Sequence, residues 1–174
     1  MTIPELNSLK ECFRGNKSKE MKTQPIPKGY NTLTPYITVR GTEKAIEFYK
    51  KAFDAKEVGR ITMTDGTIGH CELEIGDSKI MLAEENKQWG NISPLTLGGT
   101  TVYLSLYVED VDAVYSRALK EGAKVLGNME PKDQFHGDRS GSLTDPFGHR
   151  WTIMTRIEDV SFLEMQKRAD AIFK

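Results

Sequence analysis

One pattern occurs twice in this chain. Ala45-Ile46 is answered by Ala113-Val114, and Ala55-Lys56 by Ala123-Lys124, both 68 residues further on. Self-similarity at a fixed offset means one supersecondary unit built twice, and it constrains the fold more than any single element does. In the first copy Tyr36-Ile37-Thr38-Val39 reads as a strand. Thr42 then caps a helix whose apolar positions Ala45, Ile46, Tyr49, Ala52 and Phe53 follow a 3.6-residue period. Three strand-like runs follow: Lys56–Met63, Ile68–Ile75 and Lys79–Ala83. They are separated by Asp65-Gly66 and Gly76-Asp77, both turn sequences.

The second copy repeats that order. Thr101–Val108 is a strand, Asp110 caps a helix with Val111, Val114, Ala118 and Leu119 inward, and Gly122 ends it. Strands are predicted at Ala123–Met129, Asp138–Thr144 and Arg150–Arg156. The last two join through Asp145-Pro146-Phe147-Gly148, with Pro and Gly where a tight turn takes them. The expectation is an α+β fold of two βαβββ modules, 30–85 and 101–157, with 86–100 as a polar linker. Helical extensions flank them. Thr2 and Glu5 have capping-box spacing before Leu6, Leu9 and Phe13, which predicts a short helix over 4–14 or a frayed tail. Ser161 and Glu164 have the same spacing before Phe162, Met165, Ala169 and Ile172, in a C-terminal helix over 158–174.

Charge divides the chain unevenly. The net charge is −1, but residues 1–29 hold six basic and three acidic side chains, about +3, on a body of about −4. A body of that sign lacks the basic face that phosphate neutralisation requires, so nucleic acid is not expected as a partner. No run is long and apolar enough to span a bilayer. No basic-then-apolar leader opens the chain, which makes the expected location cytoplasmic. Cys12 and Cys71 form no disulfide framework, and Cys71 sits at a buried position of an alternating strand.

The repeat, the Ala-Ile-Glu-Phe-Tyr of the first helix and the Asp-Pro-Phe-Gly-His before the last strand resemble the vicinal oxygen chelate superfamily. Glyoxalase I, bleomycin resistance proteins and extradiol dioxygenases belong to it, and the PhnB-like group is the nearer likeness. The segments that carry it are Pro35–Val39, Gly69–Asp77, Val108–Ala113 and Asp133–Trp151. The resemblance implies two half-barrels with helices on the convex side and a pocket on the concave side. Strand parity then turns Cys71, Leu73 and Ile75, and Leu104, Leu106 and Val108, toward the helices. His70, Glu72 and Glu74, with Tyr103, Ser105 and Tyr107, fall on the other face.

Metal-dependent members of that superfamily place one ligand on the first and one on the last strand of each module. Those positions fall on Thr34, Met81, Tyr103 and Thr152, none an imidazole or carboxylate, so no cofactor is expected. A divalent metal held by His70 and Glu72, two residues apart on one strand face, is the alternative. A hydrogen-bonded pair lining a polar pocket is the simpler reading of the two. His149 reads as a surface residue closing its hairpin.

The pocket candidates are His70, Glu72, Trp89, Tyr103, Tyr107, Gln134, Phe135 and Arg139. Arg139 offers a planar fork for a carboxylate or phosphate, or a salt bridge at the start of its strand. Gly137 and Gly141 let the backbone come close to something. Trp89, in the linker, would be a lid. No nucleophile elbow, dinucleotide fingerprint or P-loop is present. The functional expectation is a metal-free, PhnB-like protein that binds a small organic molecule, as a homodimer. A metal-dependent glyoxalase-like lyase or isomerase, or a dioxygenase, is the alternative. An accessory protein docking through its basic N-terminus is a third reading.

Overall fold

The structure is a computed structural model and describes residues 23–174. The helix predicted over 4–14 lies outside the described residues. Each module holds the expected order. The first comprises β1 (Tyr36–Val39), α1 (Thr42–Phe53), β2 (Lys56–Thr62), β3 (Ile68–Ile75) and β4 (Ser78–Glu84). The linker region adds a 3-10 turn (Lys87–Trp89) and a one-turn helix α2 (Pro94–Leu97). The second module comprises β5 (Tyr103–Tyr107), α3 (Val111–Lys120), β6 (Lys124–Val125), β7 (Lys132–Asp133), β8 (Asp138–Thr144) and β9 (Arg150–Arg156). Helix α4 (Phe162–Ile172) ends the fold. No helix among the described residues is long and apolar enough to cross a membrane.

The two sheets share one topology, β1-β4-β3-β2 and β5-β9-β8-β6, with β7 paired to β8. First and last strands pair in parallel, the others antiparallel. The crossover helix makes the parallel pairing reachable and then covers one face of the sheet. Parity holds as predicted. Cys71, Leu73 and Ile75 are buried against α1, and Leu104, Leu106 and Val108 pack on the core that both modules share. Helices α1 and α3 face each other across that core.

Four local readings need correction. The inner faces of the helices align at an offset of 69, not 68: Thr42, Ile46 and Tyr49 answer Val111, Tyr115 and Ala118. The cap of α1 is Gly41, not Thr42, and it is served by a side chain from another strand. The Glu84 carboxylate accepts from Gly41 N at 2.8 Å, Thr42 N at 2.8 Å and Thr42 Oγ1 at 2.8 Å. Ala123–Met129 pairs over only two residues, because the chain turns at Gly127 and then lies across β8, Ser142 N donating to Met129 O. The linker is not featureless. Asn86 caps the 3-10 turn, and the Glu85 carboxylate accepts from Ser93 N and Oγ ahead of α2. These hydrogen bonds hold the Glu85 carboxyl down at about 2.

Candidate functional site

A buried carboxylate joins the modules. Asp145, in the turn between β8 and β9, accepts at Oδ1 from the backbone N–H groups of Phe147 and His149. Its Oδ2 accepts from Tyr49 Oη at 2.7 Å, from the other module, and from Trp151 Nε1 at 3.0 Å. Tyr49 is fully buried, and burial first, then Asp145, pushes its phenol well above the ordinary value. His149 is not the surface residue expected. It is buried, and its Nε2 donates to the carbonyl of Thr38 in β1 at 2.9 Å. Trp151 closes this seam against Tyr49 and Phe53.

Along the seam lie two clefts. One, of about 720 Å³, has Tyr36 and Thr38 on one wall, His149 and Arg150 on the other, and Gly98–Val102 across it. The second, of about 740 Å³, runs between the β3–β4 turn and β5, and takes in Tyr103 and Tyr107.

The concave face of the first module carries a hydrogen-bonded row. Strand β3 presents His70 and Glu72, two residues apart, and the parallel register of β1 brings Tyr36 alongside. Tyr36 Oη lies 3.3 Å from His70 Nδ1, and His70 Nε2 lies 3.3 Å from Glu72 Oε1. The phenol of Tyr30 donates to Glu72 Oε2, and Lys79 lies over the Tyr30 ring. The Tyr30 bond, with a smaller contribution from His70, holds the Glu72 carboxyl below its usual range, and the same bond pushes Tyr30 up to about 12. Burial raises Tyr36. The second module has its own cluster: Tyr107 Oη at 3.1 Å, Arg156 Nη1 at 3.2 Å and His136 Nδ1 at 3.3 Å all meet the buried Asp138 carboxylate. Beside it a cavity of about 300 Å³ is lined by Gln134, His136 and Ser140.

The eight candidates therefore separate into several places. His70 and Glu72 stand together. Tyr103 and Tyr107 share the second cleft. Gln134 lines the small cavity. Trp89 is 67% exposed on its 3-10 turn and lines a hollow with Met63, Gly69 and Glu85 that does not include His70. Phe135 packs its ring against Phe173 beneath α4. Arg139 is already occupied. Its guanidinium donates to both oxygens of Asp112, at 2.8 and 2.9 Å, and to Asp133 at 3.0 Å, on the helix side of β8. The glycines beside it make room for the chain itself. A Cβ on Gly137 would lie 2.4 Å from the Glu158 carbonyl oxygen, and one on Gly141 would lie 2.8 Å from Pro131 N. The partners that complete the His70–Glu72 pair, Tyr36 and Tyr30, were not among the candidates. Tyr30 lies 42 residues from Glu72 and Tyr36 lies 34 from His70, and the β1-β4-β3 order brings Tyr36 alongside.

The metal-ligand positions can be read from the register. Met81 pairs with Tyr36, and Thr152 with Ser105. Thr34 precedes β1 and donates to the Asn31 carbonyl, and Tyr36 is the β1 residue level with Met81. Ser142 Oγ meets Thr152 Oγ1 at 3.0 Å. This set of a thioether, hydroxyls and a phenol is a poor match for a hard divalent ion that takes imidazole and carboxylate. No group of three or more His, Cys, Asp or Glu side chains is placed to hold a metal among the described residues.

The family profile described as the glyoxalase/bleomycin resistance protein/dioxygenase superfamily matches residues 30–153. The chain belongs to that superfamily. An uncharacterized protein of Mycobacterium tuberculosis is 42% identical over 137 residues, 77% of this chain and 79% of that protein. The PhnB protein of Bacillus cereus, a putative 3-demethylubiquinone-9 3-methyltransferase, shares the fold at 19% identity. Its TM-score is 0.56, over 72% of this chain and 99% of that one. A manganese-bound fosfomycin resistance protein of Listeria monocytogenes shares it at 19% identity and TM-score 0.55, over 78% and 94%. These structural likenesses carry the fold; within the superfamily, chemistry resides in the site.

Proposed function

We propose that this superfamily member binds a small organic molecule in the seam between its modules and does so without a metal ion. The reading rests chiefly on the cleft of about 720 Å³ where Tyr36 and Arg150 face a common space. Its volume suits a small ligand, and its walls combine apolar surface with a few convergent polar groups. The donor set at the metal-ligand positions supports the second half of the reading. A thermal-shift screen of small organic acids, alcohols and aromatics against the EDTA-treated chain tests it. Stabilisation that survives EDTA supports the reading, and stabilisation that needs added manganese overturns it.

The chain is proposed to act as a homodimer. The support is apolar surface on α4 and its C-cap, where Phe162, Leu163, Ile172 and the capping Phe173 are all more than half exposed while Arg168 is tied to Glu158 and the Phe135 carbonyl. Light scattering giving one chain mass would overturn it.

A further inference from the structure

We infer that Tyr36, His70 and Glu72 form a proton relay in which Tyr36 acts as a general base on a small organic anion held by Arg150. The inference rests on the seam-binding reading above and gives it a substrate class and a reactive atom. The arrangement is carboxylate, imidazole, hydroxyl, in that order, each within 3.3 Å of the next. A base beside a hydroxyl, itself oriented by a third group, is the recurring layout of an activated oxygen, and such contacts are commonly long before a ligand binds.

The hydrogen-bond roles follow from the ends. Glu72 accepts from Tyr30 and is held ionised, so it accepts from His70 as well, and the Nε2 nitrogen carries the proton. In neutral imidazole Nδ1 is then a lone-pair acceptor, and Tyr36 donates to it. That leaves the lone pairs of the Tyr36 oxygen without a donor, on a side chain that is 51% exposed and lines the cleft. Burial disfavours the free phenolate, so Tyr36 can take a proton only as it passes its own to His70. A chain of three groups is needed for what a lone tyrosine could not do at neutral pH.

Arg150 supplies the substrate class. It lines the same cleft, lies over the Tyr103 ring, donates from Nη1 to Tyr103 Oη at 3.4 Å, and has no carboxylate partner among the described residues. A guanidinium in a cleft with no carboxylate beside it favours a carboxylate or similar anion. In the proposed step the substrate's acidic X–H bond breaks and its electrons stay on X. The proton goes to the Tyr36 oxygen, the Tyr36 proton goes to His70 Nδ1, and the imidazolium is stabilised by Glu72.

The relay is tested with an electrophile, benzenesulfonyl fluoride, on the full chain at neutral pH, read by intact mass and peptide mapping. The Tyr36 oxygen–sulfur bond forms, the S–F bond breaks, fluoride leaves with the bonding pair, and the phenol proton passes to His70. Tyr36 is expected to label far faster than Tyr107, which is as exposed but donates to the Asp138 carboxylate alone. His70→Gln should slow Tyr36 labelling on the order of a hundredfold, and Glu72→Gln should slow it less while leaving Tyr107 unchanged. Benzoate should protect Tyr36 in the native chain and fail to protect it in Arg150→Gln. Equal labelling of Tyr36 and Tyr107, or a Tyr36 rate indifferent to His70→Gln, overturns the relay. An absence of benzoate protection overturns the anion class. Thermal stabilisation by a ligand together with an unreactive Tyr36 would leave binding in place and reject the relay alone.

Discussion

Replacing Asp145 by Ala probes the joint that holds the two modules in one core. The carboxylate collects four donors: the Phe147 and His149 amides, Tyr49 Oη and Trp151 Nε1. Residues 147, 149, 49 and 151 are all buried, so water cannot replace what Ala removes. A hydrogen bond to a charged group contributes about 1.5–3 kcal/mol, and a stranded buried donor costs about 1–3 kcal/mol. Four such terms on one carboxylate are not additive. Two or more neutral donors left stranded together, at less than the sum of four, give a loss of about 3–5 kcal/mol. At about 2–4 °C per kcal/mol for a chain of this length, Asp145→Ala should lower Tm by about 6–20 °C. Tyr49→Phe removes one donor without stranding the carboxylate, and should cost only about 1 kcal/mol. Urea denaturation of both variants and of the double mutant measures the coupling. Should Asp145→Ala cost no more than Tyr49→Phe, or should the two effects simply add, the joint does not have the role assigned to it.

Other substitutions test separate parts of the fold and site. Glu84→Ala should cost about 1–2 kcal/mol in urea melts, since it uncaps α1 at Gly41 and Thr42. Glu57, paired with Arg60 and Lys50, has its carboxyl lowered to about 2. A depressed folded-state pKa gives stability that is present above the unfolded value and lost as pH falls toward 2. The urea midpoint should therefore drop between about pH 4.5 and 2, and Glu57→Gln should flatten that drop. Gly137→Ala combines a positive φ of 93° with a backbone collision, and should destabilise by about 2–4 kcal/mol by the same assay. Arg139→Gln should leave ligand-induced thermal shifts unchanged, because its guanidinium faces Asp112 and Asp133; a lost shift would return Arg139 to the pocket.

The repeat, the element order and the strand faces were legible in the sequence because they depend on local period. Ile68–Ile75 alternates, and its buried half is the apolar half. What escaped was set by distant partners. Thr42 looks like a cap, yet the capping carboxylate arrives from Glu84 across the sheet. His149 looks like a polar hairpin residue, yet the carbonyl of Thr38 in the other module buries it. Arg139 looks like an open fork until Asp112, on the facing helix, is brought against it. Half of the candidate relay, His70 and Glu72, was visible as a spacing of two on one strand face. Tyr36 needed the β1–β4–β3 order, which periodicity does not supply. Asp145 is an ordinary turn aspartate by sequence, and its place between Tyr49 and Trp151 is a property of the packed modules.

The most direct test of the central claim is an anomalous-difference and electron-density map from crystals of the chain purified without chelator. Organic density in the seam, in contact with Tyr36 and Arg150, with no anomalous peak beside His70 and Glu72, is the predicted result. A strong anomalous peak ligated by His70 and Glu72, with the seam filled by solvent alone, would contradict it.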